Sequence, residues 1–192
     1  MPVPHSQDPW TRLTSVRGYA ADELISALQK TIRRGELKLA LLVAREMVES
    51  SAELEEIMWS RLCVMSCEDV GDGSWREPVV VNSLYEMHLR LGREAGDRWL
   101  FAVHAIRLLA TSPKDRTSDE WANLILHEIA TDHPFEIPDY ALDVHTRRGQ
   151  EAGRTVDDFW AEGSKIFPER EGRDTSVRDE IIRIREAGEW RA

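Results

Sequence analysis

The chain has 192 residues, 42% hydrophobic and 31% charged, with a formal net charge of −10. That length suits one domain with a short appendage, and the balance excludes both wholesale disorder and a spanning helix, which needs ~20 consecutive apolar residues. The acidic character excludes broad nonspecific attraction to nucleic acid, because phosphates meet a repulsive field, but it leaves local basic contacts open.

Residues 1–20 hold three prolines and neither the basic flank nor the apolar run of a secretion signal, so they read as a flexible leader pinned by Trp10, and the cytoplasm is the expected address. Ala21, Leu24, Ile25, Leu28 and Ile32 then recur at helical spacing, closed by Arg33-Arg34-Gly35. Leu37, Ala40, Leu41, Ala44, Met47 and Val48 form a second stripe so close behind the first that an antiparallel hairpin is predicted. Ser50-Ser51-Ala52-Glu53 reads as a capping box opening a third helix, with Leu54, Ile57, Met58, Leu62 and Met65 inward and an end near Val70-Gly71-Asp72-Gly73.

A fourth helix is predicted from Pro78, turning Val81, Leu84, Tyr85 and His88 to the core. A fifth carries Trp99, Ala102, Val103, Ile106 and Ala110 and stops before Pro113. Thr117-Ser118-Asp119-Glu120 reads as a second capping box, followed by an inward stripe of Trp121, Leu124, Ile125 and Ile129. Beyond Thr131 the texture changes to an extended connector, short helical pieces around 139–148 and 156–166, and a last amphipathic helix with Val177, Ile181 and Ile184. The expected fold is all-α: a bundle of stacked antiparallel helix pairs over 21–130, with an irregular helical arm over 131–192 packed on the same domain.

Candidate chemistry is sparse. Cys63 and Cys67 lie four apart on one helical face, a poor disulfide geometry, and read as buried free thiols. His127, Asp132, His133 and His145 make a metal-dependent hydrolase imaginable, but they follow no known ligand spacing. Asp69-Val70-Gly71-Asp72-Gly73 lacks the alternating carboxylates of a calcium loop, and the chain contains no phosphate-binding loop, dinucleotide fingerprint or nucleophile elbow. No cofactor is expected. Lys30, Arg33 and Arg34, and also Arg147, Arg148 and Arg154, form basic clusters that read either as nucleic-acid contacts or as solvated helix ends. Of the seven tryptophans, Trp59, Trp99 and Trp121 read as core, whereas Trp75, Trp160 and Trp190 lie in polar settings that also suit a subunit contact.

One ordered set of segments goes further. Ser26-Ala27-Leu28-Gln29-Lys30-Thr31-Ile32-Arg33-Arg34-Gly35 precedes Ala40-Leu41-Leu42-Val43-Ala44-Arg45. Trp59 to Gly71, with its Ser66-Cys67-Glu68-Asp69-Val70-Gly71 end, and Ala110-Thr111-Ser112-Pro113-Lys114 follow. Over roughly residues 22–125 this order resembles the C-terminal region of the bacterial replication-associated recombination AAA+ ATPases, relatives of the clamp loaders and of the Werner-helicase-interacting ATPase. Here Cys67 interrupts the family's Ser-Glu-Asp-Val-Gly run, and Ile137 to Gly149 looks like the ending of small stand-alone relatives.

The resemblance implies a helical collar that forms tetramers, here expected as a stand-alone chain without the ATPase module. Glu68 and Asp69 close the third helix, where negative charge opposes the helix dipole, so a cationic partner is expected from Arg61 or Lys30. The functional expectation is a non-catalytic oligomerisation module linked to DNA replication or recombination, with a AAA+ ATPase or replication protein as a further partner and no membrane. The alternatives are a DNA-binding accessory protein and the metal-dependent hydrolase.

Overall fold

The computed structural model describes residues 9–191, and the chain divides into two compact units, Met1–Asp132 and His133–Ala192. In the first unit, six helices follow one another: α1 (Ala21–Arg33), α2 (Leu37–Ser50), α3 (Ala52–Met65), α4 (Glu77–Leu89), α5 (Arg98–Thr111) and α6 (Thr117–Ala130). A π turn, Ser66–Val70, and a 3-10 turn, Gly71–Gly73, continue α3. Among the described residues there is no strand, only an isolated antiparallel bridge between Thr14 and Ala20.

The predicted stripes become the core. Leu24, Leu28 and Ile32 of α1 meet Ala40, Ala44 and Met47 of α2, Met58 and Leu62 of α3, and Ala102, Ile106 and Leu109 of α5 in one buried cluster. Alanines recur on α2 and α5 where the axes must approach, and each fully buried Leu, Ile or Met contributes ~1.5–3 kcal/mol. Consecutive helices pack against each other as α1/α2, α2/α3 and α4/α5 pairs, with α1 also touching α3 and α5.

The α1–α2 corner explains why the hairpin is tight. Gly35, at φ +73°, takes the left-handed conformation, its N–H donates to Ile32 O at 3.0 Å, and Glu36 N–H reaches back to Thr31 O at 2.8 Å. This is the paired-bond helix stop that favours glycine.

Several sequence expectations need correction. Ser51, not Ser50, caps α3, accepting from Leu54 N–H at 3.1 Å, so the third helical residue is Leu54 and no Ser50–Glu53 capping box closes. Nor does Thr117 cap α6: the helix already includes it, and its N–H is taken by Asp115 Oδ1 at 2.8 Å. The predicted inward stripe of α6 points to solvent, with Trp121, Leu124, Ile125 and Ile129 all exposed. Cys67 is exposed as well, because the π turn rotates it off the face that covers part of Cys63.

Residues 1–8 of the expected leader lie outside the described residues. Pro9–Arg12 forms a 3-10 turn, Trp10 packs on the core, and the following segment binds α2. There Arg17 pairs with Glu46 and, at 2.7 Å, with Glu49, while Val16 N–H donates to Ser50 Oγ at 3.1 Å. Burial lifts the Glu46 carboxyl, but bonds from Ser15 and Arg17 outweigh it and hold the group below the usual range.

The second unit is built from short pieces. A 3-10 turn (Asp139–Ala141) leads to α7 (Arg147–Glu151), capped by the Thr146 hydroxyl. Next come α8 (Val156–Asp158), opened by a Thr155/Asp158 capping box, a π turn (Phe159–Gly163) and α9 (Ser176–Glu186). Phe159 packs edge-on against His145 and Trp160, at 5.0 and 5.7 Å between centroids. Phe135, Ile137, Tyr140, Ile166, Phe167 and Val177 are exposed.

One buried polar group ties α3 to α4 and α5. Glu55 accepts from Arg98 Nε at 3.1 Å and Arg93 Nε at 3.2 Å, and His88 Nε2 lies 3.4 Å away. The His88 ring packs on Trp59 at 4.8 Å and on Tyr85 at 6.2 Å, and Tyr85 donates to Glu56 at 2.6 Å. That bond and burial push the Tyr85 phenol up to about 12. Burial and the Arg98 charge push the His88 imidazole below its ordinary 6.5, despite Glu55 and Glu56. A base with a depressed folded-state pKa folds best uncharged, so its contribution is complete above the unfolded value and is lost as pH falls below 6.5 toward the folded one. His88 alone among the described histidines is buried, so urea stability measured between about pH 7.5 and about pH 5 is expected to fall on acidification. His88→Gln is expected to flatten that slope, and an unchanged slope refutes the assignment.

Candidate functional site

The site begins with the turn after α3. The π turn adds one residue to the helical path, marked by a bond from Gly71 N–H to Ser66 O, and such insertions re-aim neighbouring side chains. Glu68 and Asp69 thereby face α1 and the start of α6. Asp69 is 0% exposed.

Asp69 Oδ1 receives Arg33 Nε from the end of α1 and Arg116 Nη1, at 2.8 Å, from the residue before α6. Glu68 lies alongside, with Arg33 Nη2 at 2.8 Å, Arg116 Nη1 at 3.3 Å and Arg61 Nη2 at 3.4 Å. Gln29 bridges the group, donating to Glu68 at 2.7 Å and accepting from Arg61 at 2.8 Å. Arg116 also pairs with Asp119 in the first turn of α6. Burial acts to lower the Arg116 pKa, but the bonds from Asp69 and Glu68 outweigh it and leave it raised. Three arginines from separate elements thus converge on two consecutive carboxylates, with the fork geometry that makes such bonds strong.

The backbone around this junction is equally tight. Asp115 N–H donates to both Asp69 O and Val70 O at 3.1 Å. Gly71, at φ +49°, leaves room for Asp115 O where a Cβ would come within 2.3 Å, and a Cβ on Gly73 would meet Pro113 O at 2.5 Å. Lys114 Nζ donates to Leu109 O at 2.7 Å and Ser112 O at 2.6 Å, neutralising the C-terminal end of α5, and burial lowers its amine despite Asp69 and Glu77. Ser112 Oγ donates to the buried Glu77 at 2.8 Å. The Cys67–Gly71 turn and the Ser112–Lys114 corner, read separately in the sequence, are one structural contact.

Of the four residues expected at this helix end, Arg61, Glu68 and Asp69 lie together, while Lys30 is exposed and bonds Ser26. Arg33 occupies the place foreseen for Lys30, which takes it out of the basic cluster read as a nucleic-acid contact. Arg34 stays on the surface at the α1 C-cap. Arg154 Nη2 donates to both Asp139 carboxylate oxygens at 2.6–2.7 Å, Arg147 faces Glu151 at 3.7 Å, and Arg148 is exposed. The places of Gln29, Arg116 and Asp119 at this junction are not legible in the sequence, since nothing local links positions 29, 68 and 116.

His127 is exposed on α6, and Asp132 ends the first unit at φ +51°. His145 bonds Asp143 at 3.1 Å, and His133 is exposed. Among the described residues no three His, Cys, Asp or Glu side chains gather at metal-holding distance. No helix among them is long and apolar enough to cross a membrane.

Removing a buried carboxylate strands its arginines, so Asp69→Ala is expected to cost about 3–5 kcal/mol in urea unfolding, whereas Lys30→Ala stays within about 0.5 kcal/mol. Equal effects refute the junction. Gly71→Ala meets both the left-handed backbone and Asp115 O, and the same measurement is expected to show a loss of about 2–4 kcal/mol. A neutral result there means the corner does not close as described.

Residues 37–163 match the family described as the MgsA AAA+ ATPase C terminal, a span running from the start of α2 to the end of the π turn after α8. The chain is also 29% identical over 141 residues to the replication-associated recombination protein A of Bacillus subtilis (strain 168). That alignment covers 73% of this chain and 32% of the relative, so the chain spans about a third of the length of the curated protein it matches. The chain therefore belongs to the family of MgsA AAA+ ATPase C-terminal regions.

Proposed function

We propose that this chain is a non-catalytic assembly module of the replication and recombination machinery, joining copies of itself and a AAA+ ATPase or replication protein. The family match over residues 37–163 carries the reading, because it aligns the chain with the C-terminal part of such an ATPase. The chemistry of the junction agrees with it. Arg33, Arg61 and Arg116 are committed to Glu68 and Asp69, an arrangement that fixes helix ends against one another and holds no acid, base or nucleophile ready for a substrate. The exposed apolar side chains, from Trp75 at the α3–α4 connection to Ile129 on α6, suit protein contacts.

Sedimentation of the full chain from about 1 to about 50 micromolar tests the reading, since mass action makes self-association visible as a size that rises with concentration. A concentration-dependent homo-oligomer without nucleotide turnover is expected. A clean monomer throughout, or steady ATP hydrolysis, overturns it.

A further inference from the structure

A groove of about 610 Å³ runs between α1 and α2, walled in part by the turn that precedes α1. That volume lies within the roughly 300–1,000 Å³ of built binding sites. Its floor is apolar, with Leu24 and Ala27 from α1 and Val43 from α2. The core takes Ala40, Ala44 and Met47 from α2, so Leu39 and Leu42, on the neighbouring face, are left 48% and 60% exposed along the groove. Tyr19, 56% exposed, adds a ring from the wall.

The wall is set before any partner arrives. Ser15 N–H donates to Tyr19 O at 2.8 Å and Tyr19 N–H to Ser15 Oγ at 3.1 Å, closing a turn in which Gly18 sits at φ +85°. Arg17 fastens that turn to α2, its N–H on Glu46 Oε1 at 3.0 Å and its guanidinium on Glu46 and Glu49. A preformed groove avoids the ordering entropy that a loose surface loses on binding.

From this we infer that the α1–α2 groove docks an amphipathic helix of a partner protein, with its apolar face on Leu39, Leu42 and Tyr19 and a lysine or arginine beside that face against Glu23. The inference rests on the assembly reading above for the existence of a partner, and adds the surface and its chemistry. Length argues for a helix. From Leu39 to Glu49 the lining follows one face of α2 for ~15 Å, about three turns of a docked helix.

Charge argues for a basic one. Both guanidinium groups at the groove are already engaged, Arg17 with Glu46 and Glu49, and Arg45 with Glu49 at 2.7 Å and over the Trp99 ring at 5.5 Å. Glu23 lines the groove, is exposed, and makes no ion pair or side-chain hydrogen bond among the described residues. Three carboxylates therefore face two guanidinium groups, in a chain of net charge −10 whose field draws a cationic segment and repels an acidic one.

The test is selection of a displayed library of helix-forming peptides, each about fifteen residues long, on the full chain. Enriched peptides are then titrated against the wild type, Leu42→Glu and Glu23→Lys by fluorescence anisotropy. They are expected to carry apolar residues at helical spacing with Lys or Arg beside them. Leu42→Glu is expected to weaken binding at least about tenfold while far-UV helicity persists, because Leu42 is exposed. Glu23→Lys leaves every apolar contact in place and reads the groove even if Leu42→Glu disturbs the fold. Its binding is expected to weaken severalfold and to converge on the wild type as salt is raised. A library that yields nothing, acidic winners, or peptides that bind all three chains alike overturn the groove. Wild-type oligomers that Leu42→Glu dissociates assign it to a second copy and overturn the foreign helix. A groove that fails while the chain still self-associates leaves the assembly reading standing, and a strict monomer that binds the basic peptides overturns self-association alone.

Discussion

A carboxylate with no exposed surface organises the first unit. Asp69 is held by guanidinium groups from two directions, Arg33 closing α1 and Arg116 opening α6, with its own backbone carbonyl bonded to Asp115. Desolvating such a group is costly unless the partners are rigid, and here each is fixed by its place at a helix end. Arg33 stands where a cation complements the C-terminal dipole of α1, so one guanidinium offsets both the orphan carbonyl charge and the buried acid. The net stabilisation of such a pair against an apolar substitute is small. Its structural consequence is registry, because Arg33 and Arg116 reach the same Asp69 oxygen only when α1, the α3 end and the start of α6 are aligned as they are here.

That registry depends on backbone as much as on charge. The π turn advances Glu68 and Asp69 to the arginines, and Gly71 and Gly73 admit the Pro113–Asp115 strand of backbone to within ordinary contact. A side chain at either glycine pushes the corner away, and with it Arg116. The Asp69-Val70-Gly71-Asp72-Gly73 segment, whose composition faintly suggests a calcium loop, is a docking surface for a neighbouring turn. Its acids differ in burial accordingly: Asp69 is enclosed, while Asp72 is exposed in a 3-10 turn.

What the sequence made legible follows from the range of each interaction. Leu24, Leu28 and Ile32, or Ala102 and Ile106, announce a buried face because every third or fourth residue must be apolar for the pair to close. Gly35 was readable as a stop for the same local reason. The junction was half legible: helix-end acids ask for a cation, but choosing Arg33 and Arg116 over Lys30 needs the packing of elements 36 and 47 positions away. The cap of α3 slipped by one position, since two neighbouring serines compete for it, and at α6 the Asp115 carboxylate, not a hydroxyl, takes the Thr117 N–H.

Trp121, Leu124, Ile125 and Ile129 mark the limit of periodicity. The spacing identifies an apolar face and says nothing about what covers it, and assigning that face to the core assumes one chain is the whole folding unit. Helix α6 is secured at its N-terminal end by polar bonds, from Arg116 to Asp69 and Asp119 and from Thr117 N–H to Asp115. Those bonds fix where the helix begins and which way it leaves the bundle without consuming its apolar side chains. An apolar anchor at the same place would have buried Trp121 within the chain. The division of labour between an ionic root and an apolar outer face separates holding the helix from what the helix can hold.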